Sequence, residues 1–160
     1  MNSEHTVMGI FPNAKGFGYA HFDEQGNILD YGCPQCPNNA KRLERIRTIL
    51  EFQRPQIIVL RDESAKSYRG SKRTAALLAD IRRIAQDFEM SVFNYSQYDV
   101  KQAFTKFGAQ TKVQIAKEIG DWIPVLKKHL PKENYGDGQH YRASLFDAVA
   151  LVYTYHHFIS

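Results

Sequence analysis

The order of elements predicts an α/β domain on a mixed five-stranded sheet. Three antiparallel strands come first, parallel strands follow, and helices cover both faces. Three observations predict it. The chain opens with three short strand-like runs joined by tight turns. Two further apolar runs follow, each preceded by a helical stretch. The rest of the chain is helical.

The first strand covers residues 6–11 and contains Val7-Met8-Gly9-Ile10-Phe11. It breaks at Pro12-Asn13. Residues 17–22 form the second strand, with Gly16 and Gly18 near the turn. Asp23 to Asn27 is a hairpin turn, with Gly26 and Asn27 where a positive φ costs little. Ile28 to Gly32 is a short third strand. Asn38 or Asn39 caps a helix over 40–53, whose Leu43, Ile46, Ile49 and Leu50 share one face. Arg54-Pro55 ends it.

Residues 56–60 form a continuous apolar strand, as expected of one buried on both faces. The polar, glycine-ended stretch 61–70 reads as a mobile loop. A helix over 72–89 turns Ala75, Leu78, Ile81, Ala85 and Phe88 inward, and 91–95 is a short strand. A short helix starts near Gln97. A longer one over 110–128 carries Val113, Ile115, Ile119, Trp122 and Ile123, and Pro124 bends it. Pro131 to Gly138 is a loop, and the last helix runs over 140–158. A ribonuclease H-like fold fits this order. A flavodoxin-like fold fits less well, because it lacks an opening meander.

The 160 residues make one domain, large enough to bury a core without a disulfide or structural metal. A composition of 43% hydrophobic and 24% charged residues is that of a soluble globular protein. The formal net charge of +4 permits a nucleic-acid partner without demanding one. No apolar run is long enough to span a membrane. Residues 1–5 show no secretion signal, so a cytoplasmic protein is expected.

Carboxylates decide the chemistry this fold can perform. Metal-dependent nucleases hold divalent ions with acids that converge from strand ends and a helix, because hard cations want oxygen ligands. In such enzymes the opening hairpin carries a carboxylate where this chain has Phe11. Asp62 and Glu63 lie just past the central strand. Asp147 lies inside the apolar run from Ser144 to Leu151, where a buried charge demands a partner. That partner is a metal, a lysine or arginine, or a polar cleft.

These residues, taken in order, resemble the RuvC-type Holliday junction resolvases. The family's first strand ends in Asp-Pro-Gly before a Gly-Tyr pair, and here stand Phe11-Pro12-Asn13 and Gly18-Tyr19. The likeness continues through Ala40-Lys41-Arg42-Leu43 and from Arg54 to Leu60. It is strongest from Val100-Lys101, through Gly108, to Lys112-Val113-Gln114. The closing Asp147-Ala148-Val149-Ala150 matches an Asp-Ala-Leu-Ala helix.

The resemblance implies four acids. The first falls on Phe11. The second falls on Asp62 or Glu63, with Arg61 competing for the register. The third falls on Ser144, and the fourth, Asp147, is kept. His140 lies two turns before Asp147 and is a candidate to share its face, while Asn13 offers an amide oxygen. The candidate metal ligands are therefore Asp62, Glu63 and Asp147, for Mg²⁺ or Mn²⁺ if the protein is active and for no cofactor otherwise. The resemblance also implies that Lys101 and Lys112 contact a DNA backbone. Lys15, Lys66, Arg69, Lys72 and Arg73 extend a basic rim, and Tyr68 is placed to stack on bases.

Cys33-Pro34-Gln35-Cys36 is a Cys-x-x-Cys pair with structural, metal and redox readings. Tyr153, Tyr155 and Phe158 are candidates for the dimer contact that the family implies. Three functions are open on sequence alone. One is a binder of branched or structured nucleic acid, DNA before RNA, with weakened or lost cleavage. Another is an active metal-dependent junction endonuclease with rearranged ligands. The last is a structural or regulatory protein that keeps only the fold.

Overall fold

A computed structural model describes residues 5–130 and 140–159, apart from the side chains of His140 and Tyr141. Strands β1 (Val7–Pro12), β2 (Phe17–Phe22), β3 (Ile28–Gly32), β4 (Ile57–Arg61) and β5 (Ser91–Tyr95) form one sheet in the order β3-β2-β1-β4-β5. β1–β2 and β2–β3 are antiparallel; β1–β4 and β4–β5 are parallel. This is the mixed sheet and ribonuclease H-like class that the sequence predicts. Helices α1 (Asn39–Gln53) and α2 (Lys72–Asp87) cover one face. Helices α3 (Gln97–Phe104), α4 (Lys112–Trp122) and α5 (His140–Ile159) cover the other.

The pleat explains both cores. Met8, Ile10, Ile58 and Leu60 point to α1 and α2, while Val7, Phe11, Ile57 and Val59 point to α5. Arg61 follows the parity of Ile57 and Val59. It therefore leaves the end of β4 on the face that Phe11 occupies.

Helix α5 packs against β1 and β2 because both strands offer glycine there. A Cβ on Gly9 would collide with the Ala148 carbonyl, and one on Gly18 with the Ser144 carbonyl. This close approach sets α5, and with it Ser144 and Asp147, directly over Phe11's end of the sheet.

Local signals start the helices. Asn38 caps α1 by accepting from the Lys41 N–H, and Ser71 caps α2. Capping boxes open α3 (Ser96 with Asp99) and α4 (Thr111 with Gln114). The helix expected over 110–128 is two pieces. α4 ends at Trp122, and Pro124–His129 continues as a 3-10 segment. Pro124 does more than bend the helix, since it has no N–H for the α ladder and starts a new turn. α2 ends at Asp87, two residues short of the expected 89, and Glu89 has a positive φ of 60°. Among the described residues no helix is long and apolar enough to cross a membrane.

Candidate functional site

The C-terminal ends of β1 and β4 meet α5 and the start of α4, and the four side chains delivered there form one cluster. Phe11 is nearly buried, at 9% exposure. The Arg61 guanidinium lies over its ring, 4.7 Å from the centroid, and the Lys112 ammonium lies 5.1 Å from the same centroid. Lys112 Nζ also approaches Asp147 Oδ2 at 3.3 Å. Burial raises the Asp147 pKa above the ordinary carboxylate value, while the charges of Lys112 and Arg61 pull it back. The charges of two cations therefore act on one half-buried acid beside an aromatic ring.

Arg61 is held from a second side. Tyr68 places its ring 4.7 Å from the guanidinium carbon and donates its hydroxyl proton to the Ser71 carbonyl at 2.8 Å. The segment after β4, read from sequence as a mobile loop, is thus tied at Tyr68. It is tied again at Glu63, whose two carboxylate oxygens each accept from Arg82 at 2.6 Å. That pair holds the Glu63 pKa below the ordinary value. Asp62 lines the same cleft as Phe11 and Arg61, with its Oδ1 accepting from the Ser64 N–H and hydroxyl at 2.9 and 2.6 Å.

The candidate ligands therefore lie on separate partners: Asp62 on Ser64, Glu63 on Arg82, Asp147 on Lys112. Among the described residues no group of three or more His, Cys, Asp or Glu side chains is arranged to hold a metal. His140 lies in the first turn of α5, and its side chain is outside the described residues. The donor set at this corner does not suit a divalent cation. A hard cation needs several oxygens, and the groups acting on Asp147 are the Lys112 ammonium and the Arg61 guanidinium, both held against the Phe11 ring.

The other positions of the expected acid set are built into the scaffold. Buried Ser144 accepts a hydrogen bond from Asn13 Nδ2 at 2.8 Å. Asn13 Oδ1 accepts from the N–H groups of Lys15 and Gly16 at 2.7 and 2.8 Å, so the amide oxygen closes the β1–β2 turn. Arg42 fastens this turn from below. It is fully buried and donates to Ala14 O, Cys36 O and Asn39 Oδ1 at 2.6, 2.9 and 3.2 Å. Cys36 is buried and Cys33 half-buried, both as free thiols, in the loop that packs on the hairpin. Sequence reasoning missed Arg42 as a core residue, and the signal available was its place one helical turn before Ile46 and two before Leu50, on the buried face of α1.

Basic residues surround the corner. An open groove between the β1–β2 turn and the start of α2 is lined by Phe11, Asn13, Arg61, Gly70, Ser71 and Arg73. Arg73 reaches toward Ala14 O at 3.4 Å. Lys15, Lys66, Arg69, Lys72 and Lys101 are exposed. Of the aromatic residues suggested for a dimer contact, Tyr155 is buried and Tyr153 packs on Trp122, while Phe158 is 44% exposed.

Comparison with known proteins places this arrangement. No protein-family model matches the chain. A crossover junction endodeoxyribonuclease RuvC from Alkaliphilus oremlandii is 25% identical over 141 residues, covering 79% of this chain and 84% of that protein. The structure of Thermus thermophilus RuvC with a Holliday junction substrate superposes with a TM-score of 0.67. The two are 18% identical, over 96% of this chain and 94% of that one. The yeast mitochondrial Holliday junction resolvase gives a TM-score of 0.64 at 13% identity, over 95% of this chain and 78% of that one. Element order, sheet topology and these likenesses agree with the residues quoted from the sequence: the chain has the fold of the RuvC-type Holliday junction resolvases and is similar in sequence to one of them.

Proposed function

We propose that this protein binds branched or structured nucleic acid, DNA before RNA, with weakened or lost nuclease activity. One observation carries the reading. The corner where a nuclease of this fold must gather oxygen ligands holds Phe11, Arg61 and Lys112 beside Asp147, with Asp62 in the same cleft turned onto Ser64. An arginine and a lysine at that place repel a divalent cation and attract a phosphate. The groove bearing Arg61 and Arg73 and the exposed lysines extend that attraction along a backbone. The similar structures described above include one solved on a Holliday junction, which makes a four-way junction the first ligand to try. A homodimer, as the family resemblance implies, belongs to the same reading.

Retention of Asp147, with Asp62 lining the same cleft, favours a second reading in which a single Mg²⁺ or Mn²⁺ still supports slow cutting. Native gel shifts at low salt with a four-way DNA junction, a duplex, a single strand and an RNA hairpin test the main reading. Retention of the junction, weakening steeply as salt rises, is expected. Failure to retain any of the four would overturn it.

A further inference from the structure

We propose that Arg61 is a phosphodiester-binding group that lets this protein grip a nucleic-acid backbone at the former catalytic corner without a divalent cation. The inference rests on the nucleic-acid reading above and names the group and the metal independence of that contact.

Two other arginines in the molecule spend their donors on protein acceptors. Arg42 gives its donors to two carbonyls and an amide oxygen. Arg82 gives its donors to Glu63, Asn94 and the Arg61 carbonyl. Arg61 differs from both. It is partly buried and fixed in place, yet its side chain donates no hydrogen bond among the described residues.

What fixes it is apolar and aromatic. Phe11 and Tyr68 each stand 4.7 Å from its guanidinium carbon, and Tyr68 is itself anchored on the Ser71 carbonyl. A guanidinium held by its flat faces keeps its N–H edge available, in a fork that matches two phosphate oxygens. The cost of ordering a long side chain is met before the ligand arrives. Phe11 serves the same site from the position of a missing acid, because an aromatic ring holds cations that a metal would have excluded.

The surroundings suit a phosphodiester. The cleft carrying Arg61 is lined by Ser67, Ser96 and Gln97, which are neutral hydrogen-bonding partners, together with Asp62. The Asp62 Oδ1 is turned onto Ser64. Lys112 lies across the Phe11 ring from the α4 side and is 47% exposed at its side chain, so it adds a second positive charge to the same corner.

Fluorescence anisotropy of the full chain with a labelled four-way DNA junction tests this, in EDTA and in Mg²⁺, over a salt series. Wild-type affinity is expected to agree within about twofold between the two conditions. Arg61→Gln should weaken binding about tenfold and reduce the slope of log affinity against log salt by about one. Arg61→Lys, which keeps the charge and stem but not the fork, should fall between them, and it serves if the glutamine variant does not fold by circular dichroism. Binding that appears only with Mg²⁺, or a folded Arg61→Gln protein with wild-type affinity and slope, overturns the inference and leaves junction binding standing. Absence of wild-type binding at low salt overturns both.

Discussion

Lys112 and Asp147, 35 residues apart in the chain, meet at 3.3 Å and join the first turn of α4 to the middle of α5. The pair is unequal. The Asp147 side chain is 17% exposed and Lys112 is 47% exposed. Burial raises the Asp147 pKa from its ordinary value of 3.8, so the ionised carboxylate disfavours the folded state. Its contribution to stability is fully present below the unfolded pKa and is lost as pH rises through the folded one. Asp147→Asn should leave the melting temperature at pH 7 unchanged or raise it by roughly 2–4 °C. The gain should vanish toward pH 4. Junction affinity at low salt should rise about twofold, since Lys112 is released. Calorimetric melting at pH 4 and 7 and anisotropy check this. A large loss of stability at pH 7 would mean that the pair holds α4 and α5 together.

Gly18 sets the depth at which α5 sits on the sheet, because a Cβ there would strike the Ser144 carbonyl. Gly18→Ala should cost about 1–3 kcal/mol, the usual cost of overpacking. It should also weaken junction binding, as α5 moves and carries Asp147 and Ser144 away from Phe11. Urea denaturation with anisotropy on the same samples reads both effects. A wild-type urea midpoint would contradict the close packing.

Arg42 is wholly buried and bonds two backbone carbonyls and Asn39. Arg42→Met keeps much of the volume and leaves the Ala14 and Cys36 carbonyls without this donor. A loss of about 2–4 kcal/mol is expected in urea. Loosening of the β1–β2 turn should appear as faster amide exchange at Lys15 and Gly16, whose N–H groups bond Asn13.

His21 on β2 is 4% exposed, and its Nδ1 lies 2.8 Å from Gln53 Oε1. Its Nε2 has no partner among the described residues. Burial lowers its pKa from 6.5, so the folded protein keeps the ring neutral. The unfolded chain takes up the proton first. Stability is therefore full above about pH 6.5 and falls as pH drops through the lowered folded value. His129 and His156 are lowered too and add to the slope. His21→Gln should flatten the dependence of unfolding free energy on pH between about 7 and 5, by up to one proton's worth. Urea midpoints at several pH values measure it, and an unchanged slope would place the acid sensitivity elsewhere.

Much of this molecule is legible in its sequence, for identifiable reasons. The five strands carry clear apolar runs between turn residues, and Asn38 marks the start of α1 by the chemistry of capping, while the caps Ser71, Ser96 and Thr111 emerge only with the structure. Phe11 stands out as an absent acid because the hairpin around it keeps its pattern. Arg61 was harder to read. A shift of one residue along a strand moves a side chain to the other face, so Arg61, Asp62 and Glu63 compete until the sheet register is known. The β1–β4 register, with Gly9 opposite Val59, places Arg61 on Phe11's side. The Glu63–Arg82 pair and buried Arg42 depend on contacts between distant elements, which no local pattern announces. Arginine's polar composition argues for the surface; only the backbone carbonyls waiting at Ala14 and Cys36 make its burial favourable.

Strand cleavage separates a junction binder from a junction nuclease. A four-way DNA junction labelled on each strand is incubated with the protein in Mg²⁺ or Mn²⁺, beside Asp147→Ala, and read on native and denaturing gels. A retarded complex on the native gel and intact strands on the denaturing gel are expected for both proteins. Paired nicks made by the wild type and abolished by Asp147→Ala would contradict this expectation.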